Sequence, residues 1–432
     1  MAMHGVKRGQ VDATTSAEAT AKAISAYNSL VDQVRDSRNS NAHTKEALSL
    51  TEQLLKENPE FYTIWNYRRE IYSNGIFPTL TAPTDATDDD DTKRAEMARK
   101  LKEILVGELN YLLLPLLKKS PKCYWIWEYR LWFLRNFPYK TAGIPGLQQN
   151  TIRGELDLVH MMLDRDERNF HGWSYRRIII NMLAKECPDD PYVKTKESQV
   201  RYTDEMLRRS MKNYSAWYER SNVWNQWLDE KGEKGWDRMD RLGEELDKIH
   251  SAITTRPVDQ SLWVYYAYLV RSNTEQAVPS EAKEWQAAER KANVIAPFLP
   301  KHTRLSILEE EKEWLLVLLQ SVEERKQTEV LATKWVLKGL VEVTGLIWKV
   351  RDEETEAVEK MIKEKTPNDW WGEDGPPEEE EEEEEEQARD NRPIAERKDE
   401  ERKQVKDWLI QLVEQDSMRR RRYEDWMKSL NV

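Results

Sequence analysis

Three cations recur at one register of this sequence. Lys122, Arg168 and Lys212 each stand five residues before a tryptophan, at Trp127, Trp173 and Trp217. Seven residues before a tryptophan stand Asn58, Ser120, Asp166 and Ser210, all favoured helix N-caps, and Pro59 and Pro121 follow in the position proline takes at a helix start. The spacing predicts helices that begin there with a cation in the first turn, where the positive end of the helix dipole disfavours it. A local rule broken three times points to function. Helix N-termini favour anions, and a Lys or Arg placed there would strengthen a phosphate site; the plain alternative is a solvated surface cation. In the flanking copies the same column carries Glu60 and Val258.

The elements that must hold these cations are repeats. Trp65, Trp127, Trp173, Trp217 and Trp263 are separated by 62, 46, 44 and 46 residues, the first interval being lengthened by an insert around Thr79 to Thr92. The underlying period is about 45, too long for tetratricopeptide arrays. Three residues before each tryptophan stands Tyr62, Tyr124, Phe170 or Tyr214, with Gln260 in the fifth copy. Three residues after it stands Arg68, Arg130, Arg176 or Arg220, with Tyr266 in the fifth. Spacings of three put these side chains on one side of an α-helix. An amphipathic segment such as EALSLTEQLLKE or GELDLVHMMLD precedes each signature, so each repeat reads as a helical hairpin. The expected fold is all-α, a solenoid of stacked hairpins with a concave face. The tryptophans are then chiefly core, and the arginines have a structural reading too, pairing with a repeat carboxylate or a helix carbonyl end.

Composition agrees. Glycine, at 15 of 432 residues, is scarce, and 18 tryptophans stand against 6 phenylalanines, which suits long helices with few turns. The formal net charge of −12 argues against broad nucleic-acid binding, although nine of the acids form one run, Glu378 to Glu386. That run reads as a solvated linker. No stretch is apolar enough to cross a bilayer, so membrane insertion is not expected. Two cysteines, Cys123 and Cys187, do not make a disulfide framework and point to a cytoplasmic address. There is no Gly-rich phosphate loop, HExxH, Cys-x-x-Cys or Gly-x-Ser-x-Gly. Of six histidines only His171 lies inside a repeat signature. The expected organisation is a flexible N-terminal segment over residues 1–20, the hairpin repeats over 21–300 with a disordered insert near 79–92, and further helices over 301–432 interrupted by a disordered acidic loop at 367–393. The adjacent pair Trp370 and Trp371 has no functional account.

The signature Pro-x-x-Tyr-x-x-Trp-x-Tyr-Arg, repeated at this period, resembles the α subunits of protein prenyltransferases. Within that family NPEFYTIWNYRRE, DERNFHGWSYRR and DQSLWVYY are similar to the Rab (type II) geranylgeranyltransferase α subunit, in a short form without leucine-rich or immunoglobulin-like domains. The start Met3-His4-Gly5 with Lys7 and Arg8 and the closing DSMRRRRYEDW, in which Ser417 replaces a proline, fit the same pattern. The resemblance implies a right-handed superhelix of hairpins and a heterodimer with a β subunit that carries the catalytic zinc. This chain would then bind no cofactor alone. It also implies geranylgeranyl diphosphate as lipid donor and Rab GTPases, presented by an escort protein, as acceptors. By the same resemblance Lys122 and His171 are the catalytic candidates. Tyr124, Arg168, Asn169 and Phe170 are the diphosphate-binding ones, and His4 is a candidate transient zinc ligand. Two other readings compete: the α subunit shared by farnesyltransferase and type I geranylgeranyltransferase, whose repeats more often carry His before the Arg where this chain has Tyr67, Tyr129 and Tyr175, and a non-enzymatic helical-repeat scaffold.

Overall fold

The computed structural model describes residues 13–81, 90–232, 235–270, 301–324, 330–352 and 394–432. Every regular element among them is helical, which bears out the all-α expectation. The chain divides into two compact units, Met1–Asp190 and Pro191–Val432, where the sequence suggested one run of repeats.

In the first unit a long helix α1 (Ala13–Asn39) lies against α2 (Lys45–Glu57), which forms the first hairpin with α3 (Tyr62–Ile71). The chain continues through a π-helical turn into α4 (Phe77–Thr81). The second hairpin runs up through α5 (Asp90–Val106) and α6 (Leu114–Lys119) and returns in α7 (Tyr124–Asn136). Between α5 and α6 the helix widens into π turns over Gly107–Leu113, just before Pro115. Proline has no N–H to donate and its ring crowds the carbonyl four residues back, so the ladder loosens there without breaking. After the short α8 (Tyr139–Ala142), α9 (Leu147–Arg165) and α10 (Phe170–Glu186) make the third hairpin.

The second unit opens with the short α11 (Pro191–Lys194). It holds the fourth and fifth hairpins, α12 (Glu197–Arg209) with α13 (Tyr214–Lys231) and α14 (Gly235–Thr255) with α15 (Gln260–Val270). Two long helices, α16 (Lys301–Glu324) and α17 (Val330–Asp352), pack along each other, and α18 (Ile394–Gln415) and α19 (Arg420–Leu430) follow.

Two expectations change. Helix α1 begins at Ala13, so residues 13–20 are helical, as are 79–81 and 90–92 at the ends of the insert. The repeat helices also begin three residues later than the N-cap spacing predicted. Asn58, Ser120, Asp166 and Ser210 end the upstream helices: each N–H closes onto the carbonyl four residues back, Leu54, Leu116, Met162 and Met206. Each then opens a tight turn closed by an N–H from three residues on, at Phe61, Cys123, Asn169 and Asn213. Asn, Asp and Ser suit the first position of a type I turn as well as they suit a helix cap, and Pro59 and Pro121 suit its second position, and here the turn prevails. Lys122, Arg168 and Lys212 therefore sit in the turn before the helix and not in its first turn, so they break no dipole rule.

The tryptophan column secures that turn. Each indole N–H donates to the carbonyl six residues earlier, on Pro59, Pro121, Glu167, Met211 and Pro257, at 2.7–3.0 Å. The arginine column is buried and structural. Arg68 makes a two-pronged bond to Glu108 of the next hairpin, 2.7 Å on each arm, and Arg130 meets Glu155 and Arg220 meets Glu245 the same way. The tyrosine two residues after Trp127, Trp173 and Trp263 completes the node, Tyr129 on Glu108, Tyr175 on Glu155 and Tyr265 on Glu245, whereas Tyr67 donates to the Ala42 carbonyl. The fourth repeat departs from this pattern, carrying Gln199 and Glu219 where its neighbours carry Glu and Tyr, both of them buried.

Candidate functional site

The turn ends of the second and third repeats, both in the first unit, carry Lys122, Tyr124, Arg168, Asn169, Phe170 and His171. Lys122 projects from the turn before α7, its side chain 74% exposed, and its Nζ lies 3.4 Å from Oδ2 of Asp166, the residue that ends α9. Tyr124, the first residue of α7, is half exposed, with its ring centroid 6.0 Å from that of His171. Phe170 is exposed and lies against His171 at 3.9 Å between centroids. Arg168 is also exposed and approaches Glu167 at 4.0 Å, in the same turn as Asp166.

Asn169 differs from the others because it is buried and its polar atoms are committed. Its Oδ1 accepts from the backbone N–H groups of His171 and Gly172, capping α10. Its amide donates to the Pro121 carbonyl at 3.1 Å, the same carbonyl that receives the Trp127 indole. Asn169 thus binds the turn that carries Lys122 to the turn that carries His171. Gly172 helps, since a Cβ there would meet Leu163 at 3.0 Å.

Partial burial pushes the His171 imidazole below its usual pKa of 6.5, while a hydrogen bond to the Lys122 backbone and the charge of Glu60 pull the other way. The ring is neutral at neutral pH and carries one N–H. The Cys123 thiol next to Lys122 is buried and pushed up to about 11, chiefly by that burial, so it is no nucleophile at neutral pH. The charge of Glu128 raises the Tyr124 phenol above its ordinary value.

Two features escaped the sequence reading. Tyr62 and Trp125 extend the aromatic row, with Trp125 5.3 Å from both Tyr62 and Tyr124. The signal was present, as Trp125 sits between Tyr124 and the core Trp127. Asp166 is the other: its type and spacing read as a helix cap, yet it is the only acid at that column, where the other four repeats have Asn58, Ser120, Ser210 and Arg256. His4, with Lys7 and Arg8, lies outside the described residues, as do Glu378 to Glu386 and the pair Trp370 and Trp371. Among the described residues no three His, Cys, Asp or Glu side chains come together as a metal site, and no helix is long and apolar enough to cross a membrane.

The protein prenyltransferase alpha subunit repeat matches residues 44–75, 108–137, 152–183 and 197–227, the first four hairpins. The geranylgeranyl transferase type-2 subunit alpha of Candida albicans is 32% identical over 291 residues, covering 62% of this chain and 72% of its own. That of Saccharomyces cerevisiae is 31% identical over 274 residues, 63% of this chain and 73% of its own. That of Schizosaccharomyces pombe is 28% identical over 352 residues, 78% of this chain and 92% of its own. A solved structure of Candida albicans protein geranylgeranyltransferase-I complexed with GGPP superposes with a TM-score of 0.47 at 18% identity, over 79% of this chain and 85% of that one, a likeness too loose to bear on function.

Proposed function

Since this chain belongs to the geranylgeranyl transferase type-2 α-subunit family, we propose that it works as the α half of a heterodimer. Its partner is a prenyltransferase β subunit, and the pair moves a geranylgeranyl group from geranylgeranyl diphosphate to C-terminal cysteines of Rab GTPases presented by an escort protein. The family's zinc would belong to the β subunit. The described part of this chain offers no ligand set that fits it, and no step assigned to this chain runs through it.

In the proposed transfer an acceptor cysteine, as the thiolate that has given up its proton to solvent, bonds through sulfur to C1 of the lipid, the C1–O bond breaks, and diphosphate departs with its charge rising. This chain's contribution is to receive that charge. Lys122 is a cation on a flexible stem at an exposed turn, and a group of this kind aimed at a leaving group lowers the barrier to its departure. Neutral His171 beside it gives its one N–H to the Lys122 backbone, so it steadies the turn that carries the lysine without adding charge. Tyr124 and Phe170 flank the imidazole with aromatic surface, and Asn169 keeps both turns in register. Arg168 stands in the next turn along, as a second cation within the same edge.

The observation that carries this reading is the meeting of Lys122 and His171 at joined turns, in a chain of this family. Co-expression with the β subunit tests it. Transfer from geranylgeranyl or farnesyl diphosphate is measured onto Rab proteins with escort protein or onto CaaX-type acceptors. Transfer confined to geranylgeranyl and Rab is the expected result; transfer to CaaX acceptors would return the reading to the subunit shared by the other two prenyltransferases, and no β subunit co-purifying would leave a scaffold. In the same assay Lys122→Ala should lower the single-turnover rate by at least about tenfold, less than the roughly 10²–10³ of a water-excluded donor because Lys122 is solvated, with the heterodimer intact. An unchanged rate would remove Lys122 from the mechanism.

A further inference from the structure

We propose that Asp166 is the counter-ion of Lys122, a positioning residue that holds the lysine while the site is empty and limits how tightly the diphosphate product is kept. This rests on the reading of Lys122 as the cation facing that diphosphate.

The geometry is specific to this pair of repeats. Oδ2 of Asp166 lies 3.4 Å from the Lys122 Nζ. The other oxygen, Oδ1, accepts the Arg168 backbone N–H at 3.2 Å, and the Asp166 carbonyl closes the turn by accepting from Asn169 at 3.0 Å. The carboxylate is therefore fixed by its own turn, and the lysine, on a mobile four-carbon stem, comes to it. No other repeat has an acid at this position, and Lys122 stands in the turn of the preceding repeat. An exposed ion pair of this kind adds little to stability, so its presence at one turn of five is better explained by what it does to the lysine.

The turn itself does not need the charge. Asn58 holds the same position in the first repeat and makes the same bond, its Oδ1 accepting from the Glu60 N–H at 3.1 Å. Replacing Asp166 by Asn therefore keeps the turn and removes only the carboxylate charge. With diphosphate on Lys122, that carboxylate lies within a few ångströms of several negative charges. At a solvated edge the repulsion amounts to roughly a three- to tenfold loss of affinity. The carboxylate also offers Lys122 somewhere to return when diphosphate leaves, which favours release.

Inorganic pyrophosphate tests this as a product inhibitor of the heterodimer with its β subunit. Asp166→Asn is expected to lower the pyrophosphate inhibition constant by roughly three- to tenfold, with Asp166→Glu closer to the parent and the thermal midpoint of Asp166→Asn unmoved. In the Lys122→Ala background the Asp166 substitution should change inhibition much less, because the repulsion acts on a ligand that Lys122 no longer gathers. Tighter inhibition that depends on Lys122 supports the proposal. If Lys122→Ala weakens pyrophosphate binding but Asp166→Asn leaves it unchanged or weaker, the counter-ion role is overturned and the diphosphate reading stands. If Lys122→Ala leaves pyrophosphate inhibition unchanged, the diphosphate reading itself fails and takes this inference with it.

Discussion

At the scale of single residues, the candidate site separates groups that can meet a ligand from groups already spent on structure. Lys122, Tyr124 and Phe170 are exposed and His171 is half buried, whereas both side-chain polar atoms of Asn169 are occupied, by the α10 cap and the Pro121 carbonyl. His171 gives a pH prediction with a definite sign. Burial lowers its pKa below 6.5, so the folded protein takes up the imidazole proton at a lower pH than the unfolded chain does. Acidification through that window therefore disfavours the folded state, and the ring stays neutral until the pH is below 6.5. An NMR titration of the histidine ring resonances, with His171→Gln to assign the peak, should find the His171 midpoint below 6.5. A midpoint above that value would mean that the Lys122 backbone bond and the Glu60 charge outweigh burial.

At the scale of elements, the hairpins are joined by charge buried inside apolar packing. Arg130 donates to both oxygens of Glu155 and to the Leu109 carbonyl, and Tyr175 donates to the same carboxylate. Burial opposes the charge on Arg130, but Glu155 overrides it and holds the guanidinium well above its usual range. Arg130→Met would leave the Glu155 carboxylate buried with only Tyr175 to satisfy it, a loss of about 3–5 kcal/mol. Arg130→Met with Glu155→Leu removes both charges and should recover much of that loss. Thermal unfolding of the two variants reads the comparison, and equal destabilisation would mean that the arginine acts by filling space. These hairpins were legible in the sequence because a 45-residue period with tryptophan, aromatic and arginine in fixed columns has few physical solutions. The helix starts were not, because Asn, Ser or Asp, with or without a following proline, is compatible with both a helix cap and a type I turn, and the contact from each tryptophan indole to the turn's carbonyl decides between them. That three-residue displacement moves Lys122 off the helix and onto a turn, within reach of Asp166.

At the scale of the whole chain, the two units are finished differently, and the second has the clearer closing device. Beyond its two hairpins, α18 spans the α16 and α17 pair through Glu401, which accepts from Lys312 at 2.8 Å and from the Trp348 indole at 2.9 Å. The chain then turns at Asp416, whose carboxylate gathers Lys334 of α17 at 2.6 Å, the Tyr423 hydroxyl of α19 at 2.9 Å and Arg419 at 3.3 Å. The closing motif DSMRRRRYEDW, conspicuous in the sequence for its four arginines, is thus organised around its aspartate. Desolvation works against the Asp416 charge, but the Lys334 and Tyr423 hydrogen bonds prevail and hold its pKa below 3.8. Stability from this group is present above about 3.8 and is lost as pH falls through the lower folded value. Asp416→Asn keeps the shape and removes the charge, so α19 should exchange its amide hydrogens faster at pH 7 while α9 and α10 of the first unit keep their protection. The difference between variant and parent should shrink as pH is lowered below 3.8, where the parent carboxylate becomes protonated as well. Uniformly faster exchange across both units would show that Asp416 supports the chain as a whole; unchanged exchange in α19 would show that the buried Tyr423 ring alone anchors the last helix.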